Sequence, residues 1–290
     1  MQRRSFLKYA LAGAGAVSVS ALTGCGLVNP GGASAAGDGK TIKIIVTESA
    51  PYQEPTKIAQ KLLAAKGWTL EPTYVTDIIQ PNLAVANGEF DANFFQHNAY
   101  LRQFNQDKGL ENVGLFYVYS APGGIWSDKY KSLAELPDGA KIGIPVDPAN
   151  NGRALFMLRD AGLLELSEAT VIHTSQKNIT ANPKKLQFVE VDQQSLAKTL
   201  PDVDAGFLVA RMAADAKHTR ADALAFESDA DQVPFRIVVA GRKDFAGSEK
   251  ASALREAFQS PEVKAWFASY QNGILPTPWD QDPAADITKL

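Results

Sequence analysis

The sequence predicts an α/β protein of two lobes with a ligand cleft between them. Three observations carry this. Short β-branched runs alternate with segments of helical period, the pattern begins afresh after Pro122-Gly123-Gly124, and 290 residues exceed what one hydrophobic core usually organises. At 45% apolar and 21% charged residues, the chain has enough hydrophobic surface to bury such cores.

Each element has a local reason. Thr41 to Thr47 (TIKIIVT) reads as the opening strand, and Pro51 to Lys66 carries Ile58, Leu62 and Leu63 at helical spacing before Gly67. Leu70 to Thr76 reads as the second strand. Pro81 to Asn87 is a short helix with Pro in its first turn and Gly88 beyond its end. Phe90 to Phe95 is the third strand, after which Asn98 is placed to cap a helix whose Tyr100, Leu101 and Phe104 share one face and which Gly109 closes. Val113 to Tyr119 is a further strand. Beyond Pro122 come Ile125-Trp126, a short helix at Leu133, a strand from Lys141 to Pro145, and a helix from Asn150 to Ala161. Leu186 to Val191, Ala205 to Val209 and Phe235 to Ala240 read as strands; Ser248 to Gln259 and Pro261 to Tyr270 read as helices returning to the first lobe. Strands separated by helices predict parallel sheets. The predicted organisation is lobe I at 41–122 plus 241–290, and lobe II at 123–240.

The residues before the fold read as an address. Arg3-Arg4-Ser5-Phe6-Leu7-Lys8 resembles a twin-arginine export signal, followed by an Ala/Gly run too short to span a bilayer. Leu22-Thr23-Gly24-Cys25 resembles a lipobox, with the chain's one cysteine at the lipidation position. Residues 1–24 are thus the expected leader, and residues 25–40, rich in glycine, a flexible lipid-anchored tether. Loss of Arg3, Arg4 and Lys8 with the leader takes the formal charge from -3 to -6.

Composition and motifs exclude several functions. With 29 basic against 32 acidic residues there is no footprint for nucleic acid, and one cysteine permits neither an internal disulfide nor a multi-cysteine metal site. His97, His173 and His218 lack metal-ligand spacing, and no nucleophile elbow, HExxH helix or phosphate loop occurs in the body of the chain. No metal and no cofactor is expected, and no catalytic residue is assigned. In open α/β sheets ligands sit beyond the carboxyl ends of strands. Two clusters fall at such ends. Asp91 to Tyr100 (DANFFQHNAY) gathers aromatics, an imidazole and amides, while Asp147 to Arg153 (DPANNGR) sets Asn amides and a guanidinium at a helix start, suited to a carboxylate. Read from position alone, Asn150 could equally cap that helix with Arg153 in solvent.

Together these clusters resemble the NlpA-type lipoproteins, the methionine-binding receptors of bacterial ABC importers. The likeness extends through Gln80-Pro81-Asn82-Leu83-Ala84, Asp91-Ala92-Asn93, Phe95-Gln96-His97, Glu135-Leu136-Pro137-Asp138-Gly139, Gly152-Arg153-Ala154-Leu155 and Gln259-Ser260-Pro261-Glu262-Val263-Lys264, covering about Thr41 to Gly273. It implies a periplasmic-binding-protein-like fold of type II. It further implies that Phe95, His97 and Tyr100 wall the side-chain pocket, that Arg153 pairs with an amino-acid carboxylate supported by Asn150, and that the partners are an ABC permease with its ATPase subunit and the membrane, reached through Cys25. Two positions depart from the family pattern: Ile78 stands where a Tyr is usual, and Val209-Ala210-Arg211 replaces Asn-Gly-Asn. If Arg211 faces the cleft beside Arg153, a more anionic ligand fits; if it faces solvent, methionine or a close relative does. Asn151 also replaces a Glu. Two rival readings are a hydrolase using His97 as base and a surface interaction protein without a ligand.

Overall fold

The computed structural model describes residues 39–167 and 170–286. The leader, Cys25 and the tether as far as residue 38 lie outside the described residues.

In chain order the strands are β1 (Thr41–Thr47), β2 (Thr69–Val75), β3 (Ala92–His97), β4 (Val113–Ser120), β5 (Gly123–Trp126), β6 (Lys141–Pro145), β7 (Glu165–Leu166), β8 (Ile179–Ala181), β9 (Gln187–Val191), β10 (Ala205–Val209), β11 (Ala225–Phe226) and β12 (Arg236–Gly241). The helices are α1 (Ala50–Ala65), α2 (Gln80–Ala86), α3 (Asn98–Lys108), α4 (Pro148–Asp160), α5 (Leu196–Thr199), α6 (Ala210–Asp215), α7 (Glu249–Phe258), α8 (Pro261–Ser269) and α9 (Pro283–Asp286). They form two five-stranded sheets, ordered β2-β1-β3-β12-β4 and β11-β5-β10-β6-β9, plus a small β7-β8 ribbon. The fold is the two-lobed α/β arrangement that the sequence predicts.

Both sheets are mixed. In the first, β1 runs parallel to β2 and β3, whereas β12 runs antiparallel to β3 and β4. In the second, β6 is parallel to β9 and β10, while β5 is antiparallel to β10 and β11. The predicted all-parallel sheets are therefore corrected, and so is the boundary of the second lobe. The run predicted to end lobe II at residue 240 is β12, which inserts into the middle of the first sheet, so the chain leaves the second sheet before Arg236. Burial explains the position. Ile237 and Val239 join the core of Phe94, Val118 and Phe258, while Val238 and Ala240 pack on the opposite face with Leu101 and Tyr117. A strand apolar on both sides needs cover on both sides, which a central place provides.

Tyr52 of α1 lies 4.8 Å from Phe94 and Phe94 lies 5.3 Å from Phe258, so α1 and α7 are held on one face of the first sheet by tilted and edge-on ring contacts. The second core gathers Ile142, Ile144, Leu155, Leu158, Phe207 and Leu208 around α4. Among the described residues no helix is long and apolar enough to cross a membrane.

Two helix starts differ from expectation, by one residue at α3 and by two at α4. α3 is capped by His97, whose ring accepts from Tyr100 N, and not by Asn98, which is buried and donates to Pro283 O. α4 begins at Pro148 with Asp147 as its cap, not at Asn150. α4 is also pressed close to the chain beside it: a Cβ on Gly152 would lie 2.0 Å from the carbonyl oxygen of Val171. That contact seats Asn150 and Arg153 inside the lobe.

Gly152→Ala must push α4 and the Val171 backbone apart, so urea unfolding should show a loss of about 3 kcal/mol. A loss below about 0.5 kcal/mol would mean that the close approach is not enforced.

Candidate functional site

The cleft, of about 350 Å³, is walled by the carboxyl ends of strands from both sheets. Thr47 and Ser49 end or follow β1, Thr76 and Ile78 follow β2, and Phe95, Gln96 and His97 end β3. From the other sheet come Val146 and Asp147 after β6, Asp192 to Gln194 after β9, and Arg211 after β10. Strand direction thus brings residues far apart in sequence to one gap.

Arg153 is 1% exposed, on the buried face of α4. Its Nε donates to Oε1 of Glu227 at 2.5 Å, and its Nη2 donates to Oε2 at 2.6 Å and to the carbonyl of Ala121 at 2.6 Å. Glu227 Oε2 also accepts from the amide of Gly123. The guanidinium carbon lies 3.9 Å from the centroid of the Phe235 ring and 5.3 Å from that of Phe207. Such a charge is tolerated in a dry interior because a fork-to-fork carboxylate neutralises it. One donor is left over: Nη1 is buried and has no hydrogen-bond partner among the described residues, on a residue that borders the cleft. Leaving a buried donor unmade costs about 1–3 kcal/mol, which an incoming acceptor would recover.

His97 couples the lobes. Its Nδ1 accepts from Tyr100 N at 3.0 Å, so the ring proton is assigned to Nε2, which donates to Asn150 Oδ1 at 3.3 Å. Asn150 Nδ2 passes the chain to Asp147, at 3.0 and 3.2 Å from its two oxygens. Burial, helped by the positive charge of Arg153, pushes the His97 pKa down to about 3, so the imidazole is neutral at physiological pH. Burial raises the Asp147 carboxyl, against the hydrogen bonds from Asn150. Phe95 and His97 each stand edge-on to Tyr100, with centroids 5.9 and 6.2 Å away, and the Tyr100 hydroxyl donates to Ile78 O at 3.1 Å.

The structure therefore brings Phe95, His97, Tyr100, Arg153 and Arg211 onto one cleft wall or another, with Asn150 directly behind His97. Arg153 is no solvated charge. Arg211 borders the cleft with its side chain 17% exposed, and Ile78 lies on the rim, 42% exposed. Asn151 does not reach the cleft; it donates to Pro145 O and Glu190 Oε1. Glu227 escaped sequence reasoning, because a single carboxylate in a loop 74 positions from Arg153 has no periodic or spacing signal. Among the described residues no group of three or more metal-ligating side chains occurs.

With this geometry in view, comparison with known proteins decides the family. The family profile described as NlpA lipoprotein matches residues 42–277. The chain belongs to the NlpA lipoprotein family. Among its NlpA relatives, the methionine-binding lipoprotein MetQ of Bacillus subtilis is 36% identical over 254 residues, covering 85% of this chain and 92% of that one. A solved YaeC-family lipoprotein from Enterococcus faecalis superposes with a TM-score of 0.77 at 31% identity, covering 82% of this chain and 99% of that one. A nutrient-binding protein from Burkholderia cenocepacia, solved with methionine bound, gives 0.75 at 32% identity, covering 82% and 99%.

Glu227→Gln leaves the Arg153 charge buried without its counter-charge and should cost about 3 kcal/mol in urea unfolding; a neutral result would remove the pair's structural role. His97 makes an acid-sensitivity prediction. Its folded pKa of about 3 lies below the ordinary 6.5, so nothing is lost above pH 6.5, while below it the unfolded chain takes up a proton that the fold refuses. Stability then falls by about 1.4 kcal/mol per pH unit down to about pH 3. Between pH 7.5 and 5, His97→Gln should lose about 2 kcal/mol less than the native chain; equal losses would contradict the assignment.

Proposed function

We propose that this chain is the substrate-binding lipoprotein of an ABC importer, tethered to the extracytoplasmic face of the cell membrane through lipid on Cys25. It captures an amino acid, methionine or a methionine-like compound, and hands it to a permease powered by a separate ATPase subunit. It catalyses no reaction.

The single observation that carries this reading is the leftover Nη1 donor of Arg153, on a residue that lines the same gap as Phe95, neutral His97 and Tyr100. A free guanidinium N–H suits the ligand carboxylate, and an aromatic–imidazole wall suits a flexible apolar or thioether side chain. Relatives named as methionine-binding, and one solved with methionine bound, support the ligand class. Capture works by differential contact: a ligand touching both lobes stabilises the closed form that the permease would read. The His97–Asn150 hydrogen bond is a ready interlobe contact for that form.

The hydrolase reading loses support from the same geometry. Both ring nitrogens of His97 are engaged, by Tyr100 N and Asn150, so neither is held against a hydroxyl nucleophile.

Denaturing the purified protein and analysing the released small molecules by mass spectrometry should show an amino acid. In a thermal-shift panel, the matching ligand should add about 2.7 kcal/mol of stability at roughly a hundredfold excess over its dissociation constant. Arg153→Ala should abolish that gain. No copurified ligand together with no shift for any amino acid would sink the proposal.

A further inference from the structure

The cleft holds a second cation that the capture of an ordinary apolar amino acid leaves unused. Arg211 is the second residue of α6, just after β10, and its side chain is only 17% exposed although the one ion pair it makes among the described residues, to Asp215, is loose at 3.9 Å. Asp215 gives its closer contact elsewhere, accepting from Gln271 Nε2 at 2.8 Å. Arg211 borders the same gap as Tyr52 and Tyr119, whose rings lie 5.6 Å apart, and its charge opposes the rise that burial gives both hydroxyl pKa values.

One turn before Tyr52 stands a hydroxyl without a hydrogen-bond partner among the described residues. Ser49 stands at the N-cap of the 16-residue α1, yet its hydroxyl makes no cap hydrogen bond. Its Oγ is buried, and the residue lines the cleft. A cap residue that leaves the cap unmade while its hydroxyl is shut from solvent has a donor to offer a ligand, and the positive end of the α1 dipole adds to it. Arg211, Ser49 and the start of α1 therefore each bring a donor or positive charge suited to oxygen anions to the lining of one cleft.

The remaining charges complete a pattern. Arg153 is neutralised by Glu227 but keeps one free donor. Asp147 and Asp192 line the cleft after β6 and β9, beside Arg153, while Glu48 is an exposed carboxylate on the rim. The cleft lining thus includes a residue with a spare donor for one carboxylate, carboxylates for one ammonium, and a cation and a hydroxyl for one further anion.

We propose that the cleft takes an amino dicarboxylic acid of methionine's length, glutamate or a close homologue: the α-carboxylate meets Arg153 Nη1, the ammonium faces Asp147 and Asp192, and the side-chain carboxylate meets Arg211 and Ser49. Glutamate carries its second carboxylate where methionine carries its sulfur and methyl, so the chain length fits both. The proposal rests on the reading of the cleft as an amino-acid site, and within it puts an anionic amino acid of methionine's length ahead of methionine itself.

Calorimetric titration of the purified mature protein with methionine, glutamate and α-aminoadipate, each as both stereoisomers, tests it. A dicarboxylate should bind roughly tenfold or more tightly than methionine, and Arg211→Gln should shrink that advantage by roughly tenfold or more, with Arg211→Lys restoring part of it. Equal melting temperatures of the unliganded proteins would establish that the variants fold. Methionine binding more tightly than every dicarboxylate, with the ranking unchanged in Arg211→Gln, would overturn this inference and leave the amino-acid receptor standing. Failure of every amino acid to bind would overturn both.

Discussion

A buried guanidinium with one hydrogen bond too few organises this molecule. Arg153 is held by both oxygens of Glu227 and by the carbonyl of Ala121, and Glu227 in turn holds the amide of Gly123. These contacts tie α4, the loop after β11 and the crossing from the first sheet to the second at a single point. Removing two charges from water is costly, and only the close fork geometry offsets it. The pair is therefore poor evidence for extra stability and better evidence that the position of the guanidinium matters. What it fixes is the position of the leftover Nη1, on a residue that lines the cleft.

The surroundings tune that donor. Phe207 and Phe235 flank the guanidinium and keep it from water, which strengthens any hydrogen bond made there. The closeness of Arg153 helps keep His97 neutral, so the wall across the cleft behaves as an aromatic surface carrying one N–H donor, already spent on Asn150. Gly152, next to Arg153, allows α4 to approach the Val171 backbone closely. Local backbone choice, packing and electrostatics converge on one side chain.

Much of this was legible in the sequence because it is written in local periods and punctuation. The run TIKIIVT, the αL stop at Gly109 and Pro81 in the first turn of α2 report their own conformations, and the loops after strand ends place Phe95, His97, Tyr100 and Arg153 near one another by topology alone. What escaped is non-local. β12 reads as a strong strand, but nothing within RIVVAG says which sheet it enters, and only its two-sided burial explains the answer. Glu227 has no period to betray it. The cap of α3 falls on His97 because the strand before it runs on to that residue, and a ring nitrogen can replace a side-chain oxygen as acceptor. The proposed lipid anchor rests on Cys25 and its preceding residues, outside the described residues.

The most direct test of the central claim is whether Arg153 reads the carboxylate of the solute. Calorimetry should compare methionine with methioninamide, and glutamate with its α-amide, on the native protein and on Arg153→Lys. The account predicts that amidation weakens the native protein's binding by at least about 1.5 kcal/mol and that most of this difference disappears in Arg153→Lys. Equal losses in the two proteins, or none in either, would contradict it.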